Sequence, residues 1–307
     1  MSTTFLLGPQ RFLTTAGAVV RGLGVDGPVA TITAGWEDRE GDDGELHAVL
    51  EGRSRNLRLY ERMLLVLEGD AAVAASILEL RDAVDDLAGA YSSRLQFALD
   101  AAYAARRRRG REDVIAASFS DAIDSVRRLD MWYLDEVRAL YGEAYARGAI
   151  ERSELYAQHR QEIIEILSSC GILAIAGGHV GLLLRTMQFF GVQPSGDMPV
   201  VAWSAGAMVL TRIVVLFNDF APTRAAAEVW DRGLDRVSGI VALPHARRRL
   251  HLDDRIRMEL LARRFEGSTC LLLDDGAKIK VGCDGSLPAG ARVVRPDGTV
   301  GLVETAA

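Results

Sequence analysis

The sequence VVAWSAGAMVL, from Val200 to Leu210, joins a run of β-forming apolar residues to a run rich in alanine. This change predicts a buried strand that turns sharply into a helix, with Ser204 at the turn. Two interpretations of Ser204 remain open. It is either an ordinary helix N-cap or a nucleophile that a strained strand-to-helix turn holds at the tip of a sheet. The second requires small residues two positions before and after the serine, and these are Ala202 and Gly206.

Strands and helices are predicted to alternate at both ends of the chain. Residues 1–45 contain TFLLG, TTAGAVVRGL and GPVATITAG, which predict a β-α-β unit with Thr14 or Thr15 as the helix N-cap. Residues 151–307 predict strands at ILAI, VVAW, VVLF, GIVAL and TCLLL, helices at AAAEVWDRGL and LDDRIRMELLARRF, and hairpins in TCLLLDDGAKIKVG and ARVVRPDGTVGLV. We therefore expect an α/β fold, a three-layer αβα sandwich in which helices cover a mostly parallel, flavodoxin-like sheet.

Residues 46–150 have a different pattern. Apolar residues recur there at helical spacing, as at Leu57, Tyr60, Leu64 and Leu67, and no β-like alternation interrupts them. We interpret this stretch as a helical insertion that packs on itself or on a second subunit. Residues 1–45 and 151–307 would then form the two parts of one α/β domain.

The composition excludes several classes of function. The 307 residues are 25% charged and 49% hydrophobic, which suits one large domain with an insertion. A net charge of −6 opposes a nucleic-acid partner, despite the sequence RRRRGR at residues 106–111. No apolar run is long enough to span a membrane, and the N-terminus lacks the features of a signal peptide. The scattered Cys170, Cys270 and Cys283 lack metal-binding spacing and suit reduced thiols in a cytoplasm.

Two further loops follow predicted strands. In AGGHVG, Gly177 and Gly178 would let backbone N–H groups approach a developing negative charge, although a tight turn before a helix explains them equally well. His179 is either a base or a helix N-terminal residue at the pocket rim. In ALPHARRRL, His245 is a candidate general base or a structural histidine, and the arginines at 247–249 are either solvated or attract an anionic substrate.

Together these loops place a nucleophile, a base and an anion-binding backbone at the strand ends of one predicted sheet, as acyl transfer requires. The motifs IAGGHVGLLLR, AWSAGAM, FNDF and LPHARRRLHLDDRIRMELL resemble those of the dipeptidase E and cyanophycinase family of serine peptidases, which have a class I glutamine amidotransferase-like fold. The resemblance spans residues 172–281, with a looser match in the first β-α-β unit. This chain has Ala176, His179 and Ala202 where the family has glycine, Asn or Asp, and glycine.

The resemblance implies a role for each matching residue. Ser204 would be the nucleophile, His245 the general base and Asp219 the residue that orients His245, while the N–H groups of Gly178 and Ala205 would form the oxyanion hole. Glu228, Asp231 and Asp235 are alternatives to Asp219 by their position in the sequence. The substrate-binding residues implied are Gly177, His179, Trp203, Arg255 and Glu37.

The expected function is hydrolysis of a small peptide or isopeptide bond, without a metal or other cofactor. The alternative is a catalytically silent binding or assembly module whose helical insertion mediates oligomerisation. A glutamine amidotransferase is less favoured, because that chemistry uses a cysteine at the turn where this chain has Ser204. The expected partners are a small peptide-like substrate and a second copy of the chain in a homodimer, with neither nucleic acid nor membrane.

Overall fold

The computed structural model describes residues 3–194, 196–220, 227–282 and 284–304. They form a mixed α/β fold with a mostly parallel sheet and a large helical region. The strands are β1 (Thr4–Leu7), β2 (Val29–Ile32), β3 (Ser54–Asn56), β4 (Ile172–Ile175), β5 (Val200–Trp203), β6 (Ile213–Leu216), β7 (Glu228–Arg232), β8 (Ile240–Pro244), β9 (Thr269–Leu273), β10 (Lys278–Val281), β11 (Arg292–Val294) and β12 (Val300–Leu302). The helices are α1 (Ala16–Gly22), α2 (Gly44–Val49), α3 (Leu59–Gly69), α4 (Ala71–Arg107), α5 (Glu112–Ala146), α6 (Glu154–Ser168), α7 (Val180–Phe189), α8 (Ala205–Val209), α9 (Ala246–Arg249) and α10 (Arg255–Arg264).

The main sheet has the strand order β10-β1-β5-β4-β2-β3. All neighbouring pairs from β1 to β3 are parallel, and β10 runs antiparallel along β1. Leu7 lies opposite Trp203, and Ile175 lies opposite Ala202, so the carboxyl ends of β1, β5 and β4 reach the same edge. The loops that follow these strands therefore lie close together, where ligands of such sheets usually bind.

Both faces of the main sheet are covered. Leu173 and Ile175 of β4 belong to one apolar cluster, and their neighbours Ile172 and Ala174 belong to another. The second cluster also contains residues of α1 and α2, whereas the first contains residues of α7 and α8. Strands buried on both faces explain why these segments are continuous apolar runs rather than alternating ones.

The prediction that the α/β strands share one sheet is wrong for β6, β8 and β9. β6 and β7 form a two-stranded sheet of their own. The strand that precedes His245 is β8. It pairs in parallel with β9, in a second sheet of order β12-β11-β9-β8. The edge of the main sheet beside β1 is occupied by β10. The hairpin predicted in TCLLLDDGAKIKVG is wrong for the same reason, since β9 and β10 lie in different sheets, whereas the hairpin of β11 and β12 is confirmed.

The helix predicted for AAAEVWDRGL is also wrong. Glu228–Arg232 is a strand that pairs antiparallel with β6, and its buried residues alternate, with Val229 and Asp231 inside. This pairing outweighs the helix propensity of the preceding alanines. The first two of those alanines lie outside the described residues.

The region predicted to be entirely helical, residues 46–150, contains a short strand. Ser54–Asn56 forms β3, an edge strand parallel to β2, so the absence of β-structure predicted after residue 46 is wrong. Three residues are too few to show a period of two. The prediction that the helices pack on each other is confirmed, since Tyr91 of α4 stacks on Tyr133 of α5 with ring centroids 4.2 Å apart. The boundaries of the insertion and its contact with a second subunit remain predictions.

A buried polar network fastens this helix pair to the rest of the fold. The guanidinium of Arg264 on α10 donates to both carboxylate oxygens of Asp130 on α5, each at 2.6 Å. It also donates to the hydroxyl of Tyr91 at 2.9 Å and to the carbonyl of Ala227 at 2.6 Å. A buried charge needs such complete pairing. In the ranges that the structure describes, no helix is long and apolar enough to cross a membrane.

Candidate active site

The turn at Ser204 has the backbone of a strained corner. β5 ends at Trp203, α8 begins at Ala205, and Ser204 between them has φ 50° and ψ −119°. Few L-residues adopt these angles, and those that do are held by their surroundings. The hydroxyl of Ser204 makes no capping hydrogen bond to α8. The N-cap interpretation therefore does not describe this serine, and its oxygen remains available to a ligand.

Close packing holds this corner in place. A Cβ atom on Gly206 would lie 2.3 Å from the carbonyl oxygen of Ile175, and one on Gly177 would lie 2.8 Å from the Cβ of Ser204. Ala202 is completely buried. The small residues around the serine are thus a steric requirement, as the spacing in the sequence predicted.

The loop after β4 brings backbone N–H groups to the same place. Gly178 has φ 117°, which favours glycine, and a Cβ on it would lie 2.1 Å from the carbonyl oxygen of Gly35. That oxygen accepts a hydrogen bond from the N–H of His179 at 2.7 Å. In the described part of the chain, the N–H of Gly178 donates to no backbone carbonyl. The N–H of Ala205, at the first position of α8, has no partner within its helix.

His245 follows β8 and lines the same cleft as Ser204, and it also lines a neighbouring pocket with Asp274 and Asp275. It has a left-handed backbone, with φ 57° and ψ 30°, and its N–H donates to the carbonyl of Leu273 at 3.0 Å. Burial lowers the pKa of His245 below its ordinary value of 6.5, and the charges of Arg249 and Arg248 lower it further. The imidazole is therefore neutral at pH 7, as a general base must be. Among the described residues, no hydrogen bond joins it to the Ser204 hydroxyl.

The cleft that contains both residues has a volume of about 630 Å³. This is within the usual range for small-ligand sites. Apolar residues make up much of the lining. Ala16, Trp36, Leu46 and Trp203 pack in one apolar cluster, and we call these four residues together with Val49 the apolar wall. The remaining lining includes Gly177, Gly178, Ala205 and Asn218, together with three charged side chains, Arg11, Glu45 and Arg249.

Arg249 is one of two arginines in this lining, the other being Arg11. The residue as a whole is exposed, but partial desolvation of its guanidinium lowers its pKa with no nearby anion to offset the effect. In the part of the chain that the structure describes, it forms neither an ion pair nor a hydrogen bond with a side chain. A cation in this condition is suited to binding an anionic group of a ligand.

Asp219 does not have the contacts that its predicted role requires. Its buried carboxylate forms an ion pair with Arg257 at 2.8 Å and accepts a hydrogen bond from the N–H of His251 at 2.9 Å. No described hydrogen bond connects it to His245. The carboxylates whose charges raise the pKa of His245 are those of Asp275 and Asp274, after the neighbouring strand β9.

The other predicted substrate-binding residues fall into two groups. Gly177 and Trp203 line the cleft beside Ser204. His179 is the N-cap of α7, since its Nδ1 accepts a hydrogen bond from the N–H of Leu182 at 3.1 Å. Arg255 forms an exposed ion pair with Asp297, and Glu37 is exposed at its corner. His179, Arg255 and Glu37 are not among the residues that line the cleft.

Sequence reasoning missed Trp36, Glu45, Asp274 and Asp275. Trp36 and Glu45 follow β2, and their position beyond a strand end was the one signal that could have indicated them. Asp274 and Asp275 also follow a strand, but their relation to His245 depends on the pairing of β8 with β9.

In the described ranges, no group of three or more His, Cys, Asp or Glu side chains is arranged to hold a metal ion. No known family model matches this chain, and no curated protein sequence matches it.

Proposed function

We propose that this protein is a serine hydrolase that cleaves a small peptide or isopeptide bond through an acyl-enzyme on Ser204. The observation that carries the proposal is the strained corner at Ser204, which leaves the hydroxyl uncapped in a cleft that it shares with His245. The resemblance to the dipeptidase E and cyanophycinase family supports the same chemistry. It also suggests that the sheet and its helices form the three-layer sandwich of the class I glutamine amidotransferase-like fold.

In the proposed reaction, Ser204 Oγ attacks the carbonyl carbon of the scissile bond while its proton passes to His245. The negative charge on the carbonyl oxygen is stabilised by the N–H groups of Gly178 and Ala205. His245 then gives the proton to the leaving amine, which departs and leaves an ester on Ser204. A water molecule, deprotonated by His245, hydrolyses this ester and releases the acid.

Asp275 is the carboxylate that we assign to orient His245. Its charge raises the pKa of the imidazole more than that of Asp274 does, although its carboxylate also forms an ion pair with Arg248 at 2.8 Å. Asp219 is bound to Arg257 and to the N–H of His251 and has no such effect on His245. Asp274 is the second choice, since its Oδ1 accepts a hydrogen bond from the N–H of Arg247 and its Oδ2 is bound by Arg292. A carboxylate in this position stabilises the imidazolium that forms during the reaction.

The lining of the cleft indicates a small substrate with at least one anionic group. Arg249 has no carboxylate partner within the described residues and lines the same cleft as Ser204, so it would bind a carboxylate of the substrate. Cys170 and Cys270 are free thiols. Free thiols suit a reducing compartment such as a cytoplasm, where we expect the protein to work.

The test is to incubate the protein with a panel of free dipeptides and β-aspartyl dipeptides and to measure hydrolysis by the amines released. The protein should hydrolyse at least one class, and Ser204→Ala should lower kcat by about 10⁴-fold or more. Ser93→Ala, on the exposed surface of α4, is the matched control and should leave kcat unchanged. An absence of Ser204-dependent hydrolysis across the panel would refute the hydrolase.

The second candidate is a catalytically silent binding or assembly module. It is favoured by one observation, the lack of a hydrogen bond between the imidazole of His245 and either Ser204 or a carboxylate in the described chain. This alternative predicts that the protein binds small peptides but leaves them intact, and that a chain without residues 50–145 loses its oligomeric state.

A further inference from the structure

The apolar wall of the cleft favours an apolar side chain of a ligand over an acidic one. Of the apolar wall, Trp203 is 6% exposed and Leu46 is 7% exposed, while Trp36 and Val49 are partly exposed. All of these residues line the cleft that contains Ser204. An apolar side chain placed against this wall would remove further apolar surface from water, which is favourable. A carboxylate placed there would lose its hydration without gaining a partner.

Contacts with the glycine loop that follows β4 also hold the apolar wall in position. Trp36 lies in a 3₁₀ turn, Ala34–Arg39, that follows β2, and Gly35 in this turn accepts the hydrogen bond from His179. The N–H of Trp36 donates to the carbonyl of Thr33 at 2.8 Å. The backbone of Trp36 is thus fixed relative to Gly178 and, through Gly177, to Ser204. A side chain bound against the wall would therefore have a fixed position relative to the nucleophile.

Glu45 adds a charge to this side of the cleft. It lies in the first turn of α2, one residue before Leu46, and it lines both the cleft and an adjoining hollow with Gly35, Trp36 and Gly178. Arg39, which also lines the hollow, is paired with Asp42. Within the described ranges Glu45 forms no ion pair, so its carboxylate is available to a cationic group of a ligand.

We propose that this side of the cleft binds the amino-terminal residue of a small peptide, with its apolar side chain against the wall and its ammonium group on Glu45. The inference rests on the proposed function for the position of the scissile bond, which follows this residue at Ser204. Arg249, outside the wall, then faces the remainder of the peptide and its carboxylate. An amino-terminal aspartate is disfavoured because its side chain would meet the apolar wall and the like charge of Glu45.

Binding to the Ser204→Ala variant tests this inference separately from catalysis. The probes are the dipeptides Phe-Ala and Asp-Ala and the blocked peptide N-acetyl-Phe-Ala, measured by titration calorimetry. We expect Phe-Ala to bind at least tenfold more tightly than Asp-Ala, because burial of its apolar side chain is favourable. It should also bind at least tenfold more tightly than N-acetyl-Phe-Ala, because the blocked peptide lacks the ammonium group that Glu45 would bind. Equal affinities, or tighter binding of Asp-Ala, would overturn the inference.

Two substitutions on the Ser204→Ala background assign the contacts. Trp36→Ala should weaken Phe-Ala binding about tenfold, and Trp36→Phe should restore most of it. Trp132→Ala, which removes a tryptophan stacked under Arg94 on the helical region, should leave the affinity unchanged. Unchanged affinity in the Trp36→Ala variant would contradict the role of the wall.

Glu45→Gln keeps the inference testable if Trp36→Ala does not fold, because Glu45 is exposed. It should weaken Phe-Ala binding about tenfold and leave N-acetyl-Phe-Ala unaffected, and an equal effect on both peptides would refute the ammonium contact. Peptide binding without Ser204-dependent hydrolysis would remove the proposed function but keep this ligand site. If the protein hydrolyses aspartyl peptides and no others, the proposed function would be supported and this inference about the ligand site would be overturned.

Discussion

Two strand ends of the main sheet have almost the same strained backbone and different surroundings. Ser204, after β5, has φ 50° and ψ −119°, and Glu37, after β2, has φ 59° and ψ −130°. Ser204 lines the same cleft as His245, whereas Glu37 is exposed and does not line it. A strained corner is therefore not by itself a catalytic feature, because acyl transfer also needs a base and an anion-binding backbone around the nucleophile.

The corner at Glu37 has a supporting role instead. The carbonyl of Gly35, two residues before Glu37, accepts the hydrogen bond from His179 that shapes the glycine loop. Trp36, the next residue, forms part of the apolar wall of the cleft. The sharp turn that follows lets the chain leave the sheet edge at once, so that Gly35 and Trp36 face the site and Glu37 does not. One corner leaves the Ser204 hydroxyl uncapped in the cleft, and the other holds the loop beside it.

The largest expected effect is on kcat, and it distinguishes the two carboxylates, Asp275 and Asp219, that are candidates to orient His245. Asp275→Asn should lower kcat by about 10²–10⁴-fold, because the imidazolium would lose its stabilising charge. Asp219→Asn should change kcat less than tenfold but lower the free energy of unfolding by about 3–5 kcal/mol, since it leaves Arg257 without its partner. Steady-state kinetics and denaturant unfolding of both variants measure this. Loss of activity in Asp219→Asn, with Asp275→Asn active, would restore Asp219 to the triad.

The next effect tests whether packing holds the Ser204 corner. Gly206→Ala should lower the free energy of unfolding by about 1–3 kcal/mol, because the added Cβ would lie 2.3 Å from the carbonyl oxygen of Ile175. Gly89→Ala is the matched control on α4, where an added Cβ would meet nothing within 4 Å. It should raise the unfolding free energy by about 0.5–1 kcal/mol. Equal effects at both glycines would mean that the corner is not tightly packed.

A smaller effect tests the strain at the Glu37 corner. Glu37→Gly should raise the free energy of unfolding by about 1 kcal/mol and leave kcat unchanged, because glycine adopts a positive φ without cost. The matched control is Glu68→Gly on the exposed side of α3, which should lower it by about 1 kcal/mol. Chemical denaturation measures both values. A loss of stability in both variants would show that the Glu37 corner is not strained.

The smallest expected effect is a displacement of the pH profile. At acid pH, kcat/KM should fall as the imidazole of His245 becomes protonated. Because the pKa of His245 is lowered, this acid limb of the pH profile should lie below pH 6.5. Arg249→Gln removes a positive charge that lowers this pKa, so the limb should move to higher pH. Arg212→Gln, an exposed arginine after α8, is the control and should leave the limb in place. A limb that moves to lower pH in Arg249→Gln would contradict this electrostatic account.

The features that sequence predicted well depend on residues that are close along the chain. The turn at Ser204 could be read from Ala202 and Gly206, because steric room at a corner is a local requirement. The glycine loop was recognisable for the same reason. The short strand β3 and the strand β7 were missed because pairing with a distant neighbour, not local propensity, makes them strands.

The electrostatic surroundings of His245 could not be predicted in this way. They depend on β8 leaving the main sheet to pair with β9, which brings Asp274 and Asp275 near an imidazole about thirty residues earlier in the chain. The resemblance to the serine peptidase family implied Asp219 for the role of orienting His245. In the folded chain its carboxylate instead binds Arg257 on α10.

The most direct measurement of the central claim is covalent labelling of the intact protein with a fluorophosphonate, read by mass spectrometry of its peptides. The account predicts one adduct per chain, on the peptide that contains Ser204, formed faster above the pKa of His245 than below it. Ser204→Ala should take up no label, and His245→Ala should label far more slowly. A native protein that stays unlabelled, or that is labelled equally well with alanine at position 204, would contradict it.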